Sequence, residues 1–125
     1  MLQAGSKVKV LDNSGYGVVK VINVYGKRKL RIASIGDLVQ VTSTRYKNAG
    51  LDKGRILKAL VVNVRKPWLR KKDSTYLRFP ENGVIIVNPE KAQFDSLGTR
   101  INGAVPLEIL KKLNKKSRSK VKHIV

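Results

Sequence analysis

Chemistry needs convergent groups of tunable pKa, and this chain offers few. His123 is its only histidine and it has no cysteine. His123 stands in a basic tail beside the terminal Val125, where a solvated imidazole is the plain expectation. The lack of cysteine excludes disulfides and thiolate metal ligands. Asp12, Asp37, Asp52, Asp73 and Asp95 each stand beside turn residues, where a short carboxylate hydrogen-bonds nearby backbone. None forms an Asp-x-Asp loop or an acid pair flanked by histidine, so no metal is expected. The glycines are scattered as turn formers and build no phosphate-cradling loop. Neither an enzyme nor a cofactor is expected.

What the chain does concentrate is positive charge. Lys and Arg number 27 against 8 Asp and Glu, a net charge of +19. Compacting that much like charge is unfavourable unless something neutralises it. A polyanion does so while releasing its own condensed counterions, which drives nucleic-acid binding. The basic residues gather in four places. Lys27, Arg28, Lys29 and Arg31 form the first cluster, and Arg45, Lys47, Lys53, Arg55 and Lys58 the second. Arg65, Lys66, Arg70, Lys71, Lys72 and Arg78 form the third, around Pro67-Trp68-Leu69. The C-terminal run containing Lys115, Lys116 and Arg118 is the fourth. Any one cluster alone reads as a solvated face, but solubility needs nothing near this charge. Trp68 could stack on an unpaired base; packing against the core or a protein neighbour is the preferred reading, because folded RNA presents mostly backbone and grooves. Tyr16, Tyr25 and Tyr46 read as core or strand-edge residues, since no aromatic pair has the spacing of a base-stacking platform.

The elements that must position these loops are strands. Period-2 alternation and short apolar runs recur, broken by Gly, Asn, Asp and Pro about every ten residues. Residues 6–11 alternate, with Val8 and Val10 on one face and lysines on the other. Residues 16–25 read as a long strand, 30–33 as a short one and 38–42 as another. Residues 56–64 read as the most buried strand. Residues 75–79 and 84–87 are expected to pair as a hairpin across Pro80-Glu81-Asn82-Gly83. Many short strands without long helices between them predict an antiparallel barrel. Helix is expected only from Pro106 as first helical residue, with Leu107, Leu110 and Leu113 on one face, flanked by Ile109. The tail to Val125 is expected to be a second short helix or a frayed arm that orders fully on RNA. One domain is expected, with residues 1–105 as the RNA-binding barrel and 106–125 as a basic helical tail packed on it. No run is apolar for long enough to span a bilayer, and no membrane partner is expected. Nor does a signal or transit pattern precede the first strand, so the chain is expected to be made where it works or to lack its presequence.

The residues then resemble a known family. Asp12-Asn13-Ser14-Gly15, Gly36-Asp37, and Lys53-Gly54 leading into Leu57-Lys58-Ala59-Leu60-Val61-Val62 resemble the universal large-subunit ribosomal protein fourteen. The family's signature of a small residue, aliphatics, a basic loop, Asp, an aromatic and Asn is carried by Ala59 to Val62, Lys72, Asp73, Phe79 and Asn82. Gly98-Thr99-Arg100-Ile101, Gly103 and Val105 complete it, and the likeness covers nearly the whole chain in order. The resemblance implies a small, mainly β, five-stranded closed barrel with short C-terminal helices, set in large-subunit rRNA beside neighbouring ribosomal proteins. It also implies a bridge to small-subunit rRNA, Asn13 and Ser14 at the RNA, and a ribosome-silencing factor docking around Thr99-Arg100. Trp68 is added to that protein-partner surface.

Several residues depart from the family pattern. Asp73-Ser74 replaces Asp-Gly, which predicts a different turn geometry. Arg55 replaces an acid, and Glu108-Ile109-Leu110 replaces Glu-Leu-Arg. The closing apolar helix becomes residues 116–122, rich in Lys, Ser and Arg. These departures, with a Lys-, Asn- and Ile-rich flavour, point to a ribosome of organellar type, mitochondrial before bacterial or plastid. The competing function is a free-standing single-stranded nucleic-acid chaperone or translation factor, which would need stacking aromatics on one sheet face.

Overall fold

The computed structural model describes residues 2–26, 32–46, 56–70, 72–90 and 93–125. Its first half holds β1 (Leu2–Gln3), β2 (Lys7–Val10), β3 (Tyr16–Val24), β4 (Ile32–Ala33), β5 (Leu38–Tyr46) and β6 (Ile56–Asn63). After these come β7 (Trp68–Arg70), β8 (Thr75–Leu77), β9 (Gly83–Glu90), β10 (Gln93–Ser96) and β11 (Ile101–Val105). The chain ends in α1 (Leu107–Leu110), α2 (Lys115–Arg118) and β12 (Val121–Ile124).

Five strands close on themselves. β2 pairs with β3, β3 with β5, β5 with β6 and β6 with β9, all antiparallel. β9 returns to β2 in parallel, with Lys9 opposite Gly83 and Val10 opposite Val84. The expected five-stranded closed sheet is present, but one of its seams is parallel. An odd number of strands that reverse direction at every step leaves the first and fifth pointing the same way, so the closing seam has to be parallel. Gly83 permits that close approach, because a Cβ there would stand 2.7 Å from Leu11 Cδ1.

Alternation decides what faces inward. Val8 stands opposite Val19, Val21 opposite Val41, Ala59 opposite Ile86 and Val61 opposite Val84, and all are buried. β-branched side chains suit such a pleated, close-packed interior. The outer face of the ring divides in two. Along β2, β3 and β5 it carries Lys7, Lys9, Lys20, Gln40 and Thr42, exposed or half-buried. Along β6 and β9 it carries Leu60, Val62, Ile85 and Val87, all buried. Those two strands are apolar on both faces and need a second layer. The C-terminal segment supplies it: β11 contacts β6, and Ile101, Val105, Ile109 and Leu113 join the same core.

Three expectations are corrected. The hairpin of residues 75–79 with 84–87 does not form. β8 pairs with β7, Trp68 opposite Leu77 and Arg70 opposite Thr75, while β9 enters the ring. A strand apolar on both faces is satisfied only between two neighbours and two layers, which a terminal hairpin cannot provide. In the β7–β8 turn, Asp73 Oδ1 accepts from Thr75 N at 3.3 Å and Thr75 Oγ1 at 2.6 Å. Ser74 there keeps a left-handed backbone, φ +58°, the conformation glycine favours, so serine does not abolish a glycine-type turn.

The second correction concerns α1. Pro106 is its N-cap in extended conformation, not its first helical residue. Leu107 is 42% exposed and Leu110 half-buried, whereas Ile109 on α1 and Leu113 just beyond it are buried as expected. The third is the tail. Asn114 caps α2 by accepting from Ser117 N at 2.8 Å. β12 pairs in parallel with β11, Ile101 opposite Val121 and Val105 opposite Ile124. The tail is neither frayed nor wholly helical, because its last residues complete a ladder begun at Ile101.

Candidate nucleic-acid interface

Two of the motifs that lie far apart in sequence meet in space. Asp12 is buried at the start of the β2–β3 turn. Its Oδ1 accepts from Ser14 N at 3.1 Å and Ser14 Oγ at 2.6 Å, and its Oδ2 from Ile86 N at 3.0 Å. Burial raises the Asp12 carboxyl above the usual carboxylate value; the bonds from Ser14 and Ile86 and the charge of Lys120 pull it partly back. Asn13 then reaches the loop after β10. Its Oδ1 accepts from Thr99 N at 2.7 Å and Arg100 N at 2.9 Å, and its Nδ2 donates to Thr99 Oγ1 at 2.6 Å. Asn13 N also donates to the Arg100 carbonyl at 3.2 Å. Gly98 makes room for this clasp, since a Cβ there would sit 2.9 Å from Asn13 Oδ1 and 3.1 Å from Asn13 N. The side chains of Thr99 and Arg100 remain exposed. Asn13 and Ser14, expected at the RNA, thus bond to the protein itself: Asn13 fixes the surface bearing Thr99 and Arg100, and Ser14 bonds to Asp12.

The third basic cluster divides by role. Arg65 and Lys66 leave β6 exposed, and Lys72 and Arg78 are exposed at either side of β8. The Arg65 amide donates to Asn82 Oδ1 at 2.8 Å, which pins that loop across to the entry of β9. Arg70 turns inward instead. Its Nε lies 2.8 Å from Glu108 Oε1, its Nη2 donates to Glu108 Oε2 at 3.3 Å and to the Val125 carbonyl at 2.9 Å, and its side chain is only 15% exposed. That charge is committed to holding the β7–β8 hairpin against α1 and the chain end. Trp68 is half-buried and packs on the core, in keeping with the preferred packing role. A groove of about 380 Å³ runs beside it, lined by Trp68, Leu69, Lys72, Leu107, Glu108 and Lys111.

In the fourth cluster, Lys115 and Lys116 are exposed on α2. Arg118 is also exposed, but its Nε donates to the carbonyls of Leu110 at 2.7 Å and Leu113 at 3.0 Å, closing the end of α1. α2 is held by Ser117, whose Oγ donates to Asp95 at 2.9 Å and accepts from Ser96 N at 2.8 Å. The Ser117 hydroxyl holds Asp95 below the usual carboxylate range. Asp95 lies on strand β10, not beside a turn as expected. Lys112 and Lys120 also turn to structure, donating to the carbonyls of Gly36 at 2.6 Å and Ser96 at 2.8 Å. Lys27, Arg28, Lys29, Arg31, Lys47, Asp52, Lys53, Arg55 and Lys71, and the side chain of Arg45, lie outside the described residues.

Among the described residues no group of three or more His, Asp or Glu could hold a metal ion, and no helix is long and apolar enough to cross a membrane. The arrangement is that of a closed ring presenting cations, with most of the described acids bonded to groups of the protein itself. Comparison with known proteins decides its kind. The whole chain, residues 1–125, matches the family described as Ribosomal protein L14p/L23e. The chain belongs to this family. It is 36% identical over 126 residues to the large ribosomal subunit protein uL14 of Petrotoga mobilis, covering 99% of each chain. The family is structural and non-enzymatic, which removes the enzyme reading and leaves no support for a free-standing chaperone.

Sequence reasoning missed one feature of this member. Lys7 and Lys20 stand directly opposite each other on the outer face of β2 and β3. The alternation of residues 6–11 placed lysines outward, but only the register shows that two of them face each other.

Proposed function

We propose that this protein is a structural constituent of the large ribosomal subunit that clamps separate segments of rRNA through cations on the loops and C-terminal helix around a closed ring of strands. The observation that carries the reading is that Arg65, Lys66, Lys72, Arg78, Lys115 and Lys116 are all exposed, while the described acids of the same region each bond to a group of the protein itself. Asp73 is bound to Thr75, Glu108 to Arg70 and Asp95 to Ser117. Arg offers bidentate phosphate contacts and Lys an adaptable point charge. Specificity follows RNA shape more than base sequence. Lys27, Arg28, Lys29, Arg31, Arg45, Lys47, Lys53, Arg55 and Lys71 belong to the same proposal on their sequence context.

The clasp of Asn13 on Thr99 and Arg100 supports a second surface, for protein. An exposed pair held in this way suits the docking of a silencing factor, and the resemblance to the family motif supports a further contact with small-subunit rRNA at a bridge. The departures from the family motif are the support for an organellar ribosome; the relative at 36% identity is bacterial. Sedimentation of tagged protein from its native cells tests the central reading. Co-migration with the large subunit through a high-salt wash is expected, and Lys66→Gln with Lys72→Gln should lower incorporation without changing the melting temperature. A protein that runs free of subunits at low salt refutes it.

A further inference from the structure

We propose that Lys7 and Lys20 together hold a single RNA phosphate on the bare outer face of the ring, a contact separate from the basic loops. The inference rests on the RNA-binding reading above. Residues directly opposite in an antiparallel pair have Cβ atoms about 4.5–5.5 Å apart, and like charges so placed destabilise the sheet. Lys7 and Lys20 are such a pair, both exposed. Val8 and Val19, opposite each other one residue along, point into the core, so neither lysine can turn inward.

Among the described residues no counter-charge relieves them. β2, β3 and β5 contain no acid, and neither lysine makes an ion pair with a described residue. The acid that does reach this face, Glu81, bonds Lys9 at 3.3 Å. The neighbour of Lys20 on β5 is Thr42, whose hydroxyl is neutral and can donate to an oxyanion. The opposite half of the ring's exterior is covered by the C-terminal layer, so β2–β3–β5 is the half left open. A phosphodiester fits two converging ammonium groups, one charge shared between flexible stems. A nucleobase fits less well, because among the described side chains this patch has no aromatic face beside the two lysines: Tyr16 is buried, and Tyr25 lies beyond the far end of β3 with Lys58 Nζ 5.7 Å from its ring centroid.

The test is the salt dependence of binding to a large-subunit rRNA transcript by the full chain and by Lys7→Gln, Lys20→Gln and the double variant. Counterion release counts phosphates neutralised, at about 0.7–0.9 of slope each. Sharing predicts that the double variant loses about one such increment, not two, and that the single effects do not add. The ratio of variant to wild-type Kd should shrink about threefold between roughly 50 and 200 mM salt. The free double variant should melt at the same or a higher temperature in low salt, because it loses a repulsion. A slope loss of about two increments overturns sharing. An unchanged slope, with Lys66→Gln and Lys72→Gln still lowering it, overturns the site and leaves the RNA reading standing. If wild-type binding has no salt slope at all, the RNA reading fails and takes this site with it.

Discussion

Arg70 separates a contact with RNA from a contact within the protein. Its place in the third basic cluster predicts a phosphate contact, yet its guanidinium meets Glu108 through two nitrogens and the Val125 carbonyl through one. Hydrogen bonds to charged partners contribute about 1.5–3 kcal/mol when dry. Glu108 is 34% exposed, so water screens the pair and its coupling should fall to about 1–2 kcal/mol. The bond to Val125 adds about 1 kcal/mol. Removing one positive charge from a chain at +19 gives back a few tenths of a kcal/mol. Arg70→Met should therefore destabilise the isolated protein by about 2 kcal/mol, lowering its melting temperature by about 7 °C. A double-mutant cycle with Glu108→Gln, followed by urea unfolding, isolates the pair. If Arg70→Met costs less than about 0.5 kcal/mol while removing about 0.9 from the RNA salt slope, the inward assignment is wrong.

Other consequences follow from individual sites. Ser74→Gly should stabilise the protein by about 1 kcal/mol, because φ +58° strains any residue with a Cβ; thermal melting checks it. Asn13→Ala should cost about 1–2 kcal/mol for its three exposed bonds and should raise amide exchange at Thr99 and Arg100. Gly98→Ala should show the same exchange signature, since its Cβ would press on Asn13. Asp95 lies below its ordinary value of 3.8, chiefly through the Ser117 hydroxyl. Its contribution is present above that value and is lost as pH falls through the lower folded one, so Asp95→Asn and wild type should converge in melting temperature under acid. Asp12, raised by burial, has the opposite sign: its contribution is complete below 3.8 and is lost as pH rises through the folded value. Carboxyl carbon NMR should find Asp12 titrating above Asp95.

The sequence by itself determined the chemistry. It contained no convergent catalytic groups and a charge of +19 that a polyanion would relieve, and its alternation specified strands, because side-chain period is local and each strand carries its own pattern. Turn residues such as Asp12 and Asp73 were legible for the same reason, since an Asx bond spans two or three residues. The family motif anticipated a five-stranded ring. Tertiary structure decided whatever depends on a partner distant in the chain. Residues 84–87 could not announce whether they pair with 75–79 or with β6 and β2, because an apolar run reports burial but not its neighbours. Lys112, Lys120 and Arg70 look like any other cations in sequence, and their commitment to Gly36, Ser96 and Glu108 appears only when the C-terminal layer folds back over β6 and β9. That layer had to form because Leu60, Val62, Ile85 and Val87 would otherwise face water. The same folding leaves the outer face of β2, β3 and β5 open, and there the register sets Lys7 against Lys20.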